Sequence, residues 1–406
     1  MKYVVVLGDG MADFPIEQLN GKTPLMVANK PCMDKLARLG EVGLVRTVPN
    51  GMKPGSDVAN LSVLGYDPRE SYSGRSPLEA GSIGIALKDT DVTARANLVT
   101  LSDEPNYEDK TMIDYSAGEI STNEAKELIE YLASHLNDKT YKLYAGISYR
   151  HCLVIDNGVV VEDLTPPHDI TGKPIKEHLP KGEEGKALLE LMKRSSELLK
   201  DHPINKQRIK DGKRPATSIW LWGEGTKPSL QDFEQRFGVK GAMISAVDLL
   251  KGMGKLSGMQ VINVPNATGN YDTNYVGKAD ACLKALKDGV DFVYIHVEAP
   301  DECGHQGDLD KKIASIEQID KNIVERVVQG LTDMGEEFSM LIAPDHPTPI
   351  SLMTHTSDPV PYILYRSTES VSNGLAGYDE EQAKESNIFI NDGYTLMKKL
   401  IQNKLK

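Results

Sequence analysis

Three short apolar runs, each leading into a carboxylate, constrain the fold of this chain more than any other feature. Val4-Val5-Val6-Leu7 leads to Asp9, the run over 291–297 leads to Asp301, and Ser339-Met340-Leu341-Ile342-Ala343 leads to Asp345-His346. Unbroken apolar runs of this length suit strands buried on both faces, as in a parallel sheet covered by helices. From Ile313 onward, Ile316, Ile323, Val324, Val327 and Val328 follow a helical period with charges between them, and a last helix is expected over 394–401. Alternating β and α units predict an open α/β sheet, whose ligands sit beyond the carboxyl ends of the strands. Each of the three runs meets its carboxylate at such an end.

The middle of the chain has a different pattern. Ser121 with Glu124 is a capping-box start to a helix bearing Ala125, Leu128, Ile129, Leu132, Ala133 and Leu136 on one face. A hairpin is expected from Tyr144 and 152–155 through a turn at Asp156-Asn157-Gly158 into Val159-Val160-Val161. A Pro- and Gly-rich stretch over 165–185 and a helix over 187–199 follow. A chain of 406 residues divides into two or three domains at roughly 150 residues each. The expected arrangement is a smaller α+β domain over 91–213, inserted into a discontinuous domain made of 1–90 and 214–406.

Charge and composition narrow the function classes. The net charge is −13, and the basic stripe that nucleic-acid binding requires is missing, so nucleic acid is not an expected partner. A few arginines and a metal can still reverse the sign locally for a small anion. No apolar run approaches the roughly 18 residues of a membrane span. The four cysteines have no paired spacing, which fits reduced thiols and a cytoplasmic location. Oligomeric state is not legible.

The chemistry concentrates near the end of the chain. Asp301-Glu302-Cys303-Gly304-His305 places a carboxylate and an imidazole at i and i+4, on one side of a helical turn. Asp345 and His346 are adjacent at a strand end, able to reach two metals or brace one from two sides, and His355 follows. Any one of these is ordinary turn or core chemistry; their conjunction at strand ends points to metal. Mixed carboxylate and imidazole donors suit zinc, manganese or a similar cation better than a pure magnesium cage. His296, inside a strand run, is read as packed or supporting, and His135, His151, His178 and His202 as structural.

Pro54-Gly55-Ser56-Asp57 precedes Val58, Leu61 and Leu64, which puts Ser56 at a helix N-terminus where an anion is favoured. A cation beside its oxygen would lower the hydroxyl pKa and make Ser56 a nucleophile. Spacing alone does not distinguish that role from a plain N-cap. Asp9 carries the same ambiguity.

The segments Gly8-Asp9-Gly10-Met11-Ala12-Asp13, Gly55-Ser56-Asp57-Val58-Ala59-Asn60-Leu61-Ser62 and Ala299-Pro300-Asp301-Glu302-Cys303-Gly304-His305 resemble the archaeal-type cofactor-independent phosphoglycerate mutases. So do Ala343-Pro344-Asp345-His346 and His355-Thr356-Ser357-Asp358-Pro359. The likeness runs nearly end to end, and these enzymes belong to the alkaline phosphatase superfamily. It implies an alkaline-phosphatase-like α/β metal domain interrupted by a smaller substrate domain, with two divalent ions (Mn, Zn or Mg). It implies one metal on Asp301, His305 and His355, and another on Asp9, Ser56, Asp345 and His346. It further implies interconversion of 3-phosphoglycerate and 2-phosphoglycerate through a phosphoserine at Ser56, without free bisphosphoglycerate.

A phosphoglycerate substrate needs cations for its carboxylate and phosphate, and bidentate arginine suits both. Arg75, Arg95, Arg150 and Arg214 are the candidates, with His168 and Asp169 in a loop resembling a family loop and Lys251 as a neutralising charge near Ser56. Two alternatives keep the same metal ligands: another phosphatase or phosphomutase of the superfamily, and a sister branch proposed to phosphorylate homoserine. No P-loop motif is present. A non-catalytic metal-binding protein is the third alternative, and an intact Ser56 argues against it.

Overall fold

The computed structural model describes residues 1–161, 163–369 and 371–402. It divides into two compact units, Met1–Tyr72 with Ser229–Lys406, and Ser73–Pro228. Its strands are β1 (Lys2–Gly8), β2 (Glu41–Val45), β3 (Val92–Leu101), β4 (Met112–Asp114), β5 (Tyr141–Ile147), β6 (Arg150–Ile155), β7 (Ser218–Thr226), β8 (Gly241–Ile244), β9 (Gln260–Ile262), β10 (Phe292–Val297), β11 (Phe338–Ala343), β12 (Val360–Arg366) and β13 (Phe389–Ile390).

The first unit holds the expected α/β sheet, eight strands in the order β13-β2-β12-β11-β1-β10-β8-β9. β1 lies between β10 and β11 and is parallel to both, with Val5 opposite Tyr294 and Leu341. Antiparallel pairing enters only where β12 joins β11 and β2. Val4, Val5, Val6 and Leu7 are fully buried, as are Val293, Ile295, Leu341 and Ile342, so this part of the sheet is covered on both faces. The register puts the carboxyl ends of β1, β10 and β11 side by side. Asp9, Asp301 and Asp345 therefore emerge at a common edge, and the Asp9 N–H donates to the Val297 carbonyl at 2.9 Å.

The second unit is a sheet in the order β4-β3-β6-β5, with β7 pairing the other edge of β3 over Val92 to Val99. Ser121 caps the helix Thr122–Leu136 as expected, its hydroxyl accepting from the Glu124 N–H. The Glu124 carboxylate accepts from that hydroxyl, where a full capping box has it accept from the Ser121 backbone N–H. The expected hairpin at Asp156-Asn157-Gly158 is not. β6 pairs instead with β5, around Ser148 and Tyr149, and its other edge is taken by β3. No edge remains for 159–161, and Val159 and Val160 are left exposed.

The borders of the inserted unit also differ from 91 and 213. Ala80 and Leu87 pack with Cys152 and Val154, and β7 runs antiparallel to β3 from Val92 to Val99. Burial of that small cluster and the β7 ladder draw 73–90 and 214–228 into the second unit. Among the described residues no helix is long and apolar enough to cross a membrane.

Candidate active site

All seven expected donors, Asp9, Ser56, Asp301, His305, Asp345, His346 and His355, lie in the first unit, and the fold brings them together. Asp9, Asp345 and His346 each place a donor atom within 4.8 Å of the others, and so do Asp301, His346 and His355. His346 belongs to both groups. Asp301 and His305 lie on the helix Ala299–His305, one turn apart, with His305 Nε2 3.3 Å from Asp301 Oδ2. His355 Nε2 is 3.3 Å from Asp301 Oδ1 and 2.8 Å from His305 Nε2.

Ser56 opens the helix Ser56–Val63 as its first residue; the cap position is Gly55, so the hydroxyl is not used as an N-cap. Its Oγ lies 3.2 Å from His346 Nε2. The serine thus faces the imidazole that both groups share.

Burial and like charge shape the electrostatics of the site. Burial, then the Asp345 and Asp301 carboxylates, raise the Asp9 pKa well above the usual carboxylate value. Burial opposes ionisation of Asp301 as well, but its hydrogen bonds with His305 and His355 pull it well below the usual range. The same Asp301 hydrogen bond raises His305 to about 9. Burial lowers His346, and it pushes His296 down to about 3. Three buried carboxylates crowd three imidazole nitrogens, and Asp9 Oδ1 is buried without a hydrogen-bond donor. Divalent cations fit such a donor set, because a double charge relieves the carboxylate repulsion and takes up free lone pairs.

Groups that the sequence reading did not single out fix these donors. The Asn60 amide donates to Asp345 Oδ2 and to the Ser56 carbonyl, both at 2.9 Å, and its oxygen accepts from the Tyr294 hydroxyl at 2.7 Å. Asp345 Oδ1 accepts from the N–H of Gly10 at 3.1 Å and of His346 at 2.9 Å. The Thr348 hydroxyl donates to Asp301 and lies 3.3 Å from His346 Nδ1. It can then only accept from that nitrogen, so Nδ1 carries the proton and Nε2 keeps its lone pair. His305 Nδ1 likewise donates to the Met353 carbonyl at 3.0 Å, which directs its Nε2 toward Asp301 and His355. The buried Lys312 ammonium ties Asp13 to the Thr348 carbonyl, at 2.7 Å each. Nothing in residue type marks Asn60 or Thr348 out, since their roles come from contacts between distant segments.

The second unit carries most of the other candidates. Glu79 on the helix Ser76–Ser82 pairs with Arg75 Nε through one oxygen at 3.0 Å and with Arg95 Nε through the other at 2.9 Å. The Arg95 guanidinium lies 4.2 Å over the Trp222 ring, whose other neighbour is His168 at 5.3 Å between ring centroids. Burial, partly offset by Glu79 and reinforced by Arg75 and Arg150, lowers the Arg95 pKa, so three guanidinium groups share one region. Arg150 stands 5.6 Å over the Tyr149 ring. Arg214 is paired with Asp114 and half exposed, and Asp169 is mostly exposed, 3.6 Å from His168 Nε2. Lys251 belongs to the first unit, on the helix Asp248–Leu256 beside Asp248.

A family model described as 2,3-bisphosphoglycerate-independent phosphoglycerate mutase matches residues 37–205. A relative from Geobacter sulfurreducens, named as a probable enzyme of that kind, is 50% identical over 401 residues, 99% of this chain and 100% of the relative. One from Methanosarcina barkeri, named without the qualifier, is 50% identical over 96% of each chain. Among solved structures, a protein from Pyrococcus horikoshii superposes with a TM-score of 0.82 at 29% identity, covering 98% of this chain and 96% of its own. The cofactor-independent phosphoglycerate mutase from Thermoplasma acidophilum gives 0.65 at 25% identity, covering 99% of each.

Proposed function

Because the chain belongs to the 2,3-bisphosphoglycerate-independent phosphoglycerate mutase family, we propose that it interconverts 3-phosphoglycerate and 2-phosphoglycerate through a phosphoserine at Ser56. The observation that carries this reading is the Ser56 hydroxyl, 3.2 Å from the His346 nitrogen where both donor groups meet. Asp301, His305 and His355 would hold one divalent cation, and Asp9, Asp345 and His346 with Ser56 the other. Two such ions supply charge stabilisation for the entering and leaving oxygens of an in-line displacement.

Ser56 Oγ forms a bond to phosphorus as the bond to the glycerate oxygen breaks. The serine gives up its proton and the departing glycerate oxygen gains one. The neighbouring glycerate hydroxyl then attacks phosphorus, the Oγ–phosphorus bond breaks, and Ser56 regains its proton. No outside phosphate donor or acceptor is consumed, which suits an isomerase. Asn60 holds the Ser56 turn against Asp345 throughout, keeping nucleophile and donors in one frame.

Arg75, Arg95 and Arg150 support binding of a small metabolite with two anionic groups. Their guanidinium groups offer paired donors suited to a carboxylate and a phosphate. Glu79 orients two of them while leaving the region net positive.

An enolase-coupled assay with 3-phosphoglycerate and manganese tests the reading. Phosphoenolpyruvate should form with the wild-type chain and not with Ser56→Ala, while the variant keeps most of its bound metal. Release of inorganic phosphate without isomerisation would overturn the mutase assignment.

A further inference from the structure

The two oxygens of Asp9 have different surroundings. Oδ2 lies 2.8 Å from His296 Nε2, whereas Oδ1 has no hydrogen-bond donor and lies 3.7 Å from His346 Nε2. His296 is on β10, opposite Leu7 of β1, and is fully buried. Its other ring nitrogen, Nδ1, lies 3.1 Å from Ser245 Oγ, and that oxygen accepts from the Val247 N–H at 3.0 Å. Ser245 therefore has its own proton left to donate, and Nδ1 of a neutral ring is the acceptor within reach. The ring proton then sits on Nε2 and points at Asp9 Oδ2. The buried Lys278 ammonium donates to the His296 carbonyl at 2.9 Å and fixes the strand beneath the ring.

We propose that His296 is a positioning residue for Asp9, its Nε2–H holding Oδ2 so that Oδ1 alone faces the cation, with Ser245 setting the tautomer. The inference rests on the reading of Asp9 as a metal donor. It goes further in naming which oxygen binds, what fixes it, and why a histidine stands inside a buried strand. A carboxylate held by one oxygen presents a single donor at a defined angle. A carboxylate free to rotate would offer either oxygen, or both, and would bind the ion less selectively.

Calorimetric manganese titration of the chelator-stripped full chain, as wild type, His296→Phe, His296→Gln and Ser245→Ala, tests this. Phenylalanine fills the space without a donor; glutamine places an amide N–H near the position of Nε2. His296→Phe should weaken manganese binding at one site by about 10–100-fold, and His296→Gln should recover most of that loss at a similar melting temperature. Unchanged affinity in His296→Phe, or equal loss in both variants, would overturn the proposal. Nitrogen NMR of wild-type protein carrying isotope-labelled histidine reads the tautomer directly, even where a variant fails to fold. A proton on Nε2 is expected, and a proton on Nδ1 alone would overturn it. Neither readout involves phosphoglycerate, so failure of the mutase reading shows in the enolase assay and not here.

Discussion

At the scale of single residues, the site depends on a close approach that only glycine permits. Gly10 has φ of +62°, and a Cβ there would stand 2.5 Å from Thr348 Oγ1 and 2.7 Å from the Asp301 Cα. Its N–H also donates to Asp345. Gly10→Ala therefore combines left-handed strain of about 1–2 kcal/mol with displacement of Thr348 and Asp301. Urea unfolding should show a loss above about 2 kcal/mol, accompanied by weaker manganese binding. A variant with wild-type stability and metal affinity would contradict the packing described here. The donors were legible in the sequence because carboxylates and imidazoles at strand ends form a recognisable chemical pattern. Asn60, Thr348 and Ser245 were not, because an amide or hydroxyl acquires its meaning only from partners that the fold brings to it from other segments. Ser56 was ambiguous until the backbone put the cap at Gly55 and freed the hydroxyl.

At the scale of elements, the helix Glu380–Glu385 is pinned by a carboxylate whose ionisation opposes burial. Glu380 accepts from the Asp13 N–H at 3.1 Å and from the Thr23 hydroxyl at 2.6 Å, and burial raises its pKa from 4.5 to about 7. A folded-state pKa above the unfolded one means that the folded chain holds the proton more tightly. The associated stability is complete below about pH 4.5 and is lost as pH rises through about 7. Melting temperatures across that window should fall more steeply for wild type than for Glu380→Gln, and parallel curves would contradict the assignment. Sequence patterning located the central strands, since burial on both faces leaves unbroken apolar runs, and the helices with a clear apolar face, such as Thr122–Leu136 and Gly182–Leu199. It misplaced the hairpin of the second unit, because Asp156-Asn157-Gly158 makes a turn whether or not a strand edge is open beyond it. It also missed that 73–90 and 214–228 belong with β3, since that depends on which cluster buries Ala80 and Leu87.

At the scale of the whole molecule, the chain carries a buried parallel sheet that gathers seven candidate donors, and a second unit in which Glu79 pairs with Arg75 and Arg95 while Arg150 stands over Tyr149. The first arrangement is suited to holding divalent cations and the second to recognising a small anion. The most direct test of the account is to quench the manganese-loaded enzyme in acid during turnover of phosphoglycerate bearing a radiolabelled phosphoryl group, and then to map the label by peptide. Label is expected on the peptide containing Ser56, and Ser56→Ala should lose both the label and isomerisation. Isomerisation that proceeds in Ser56→Ala, or without label reaching Ser56, would contradict it.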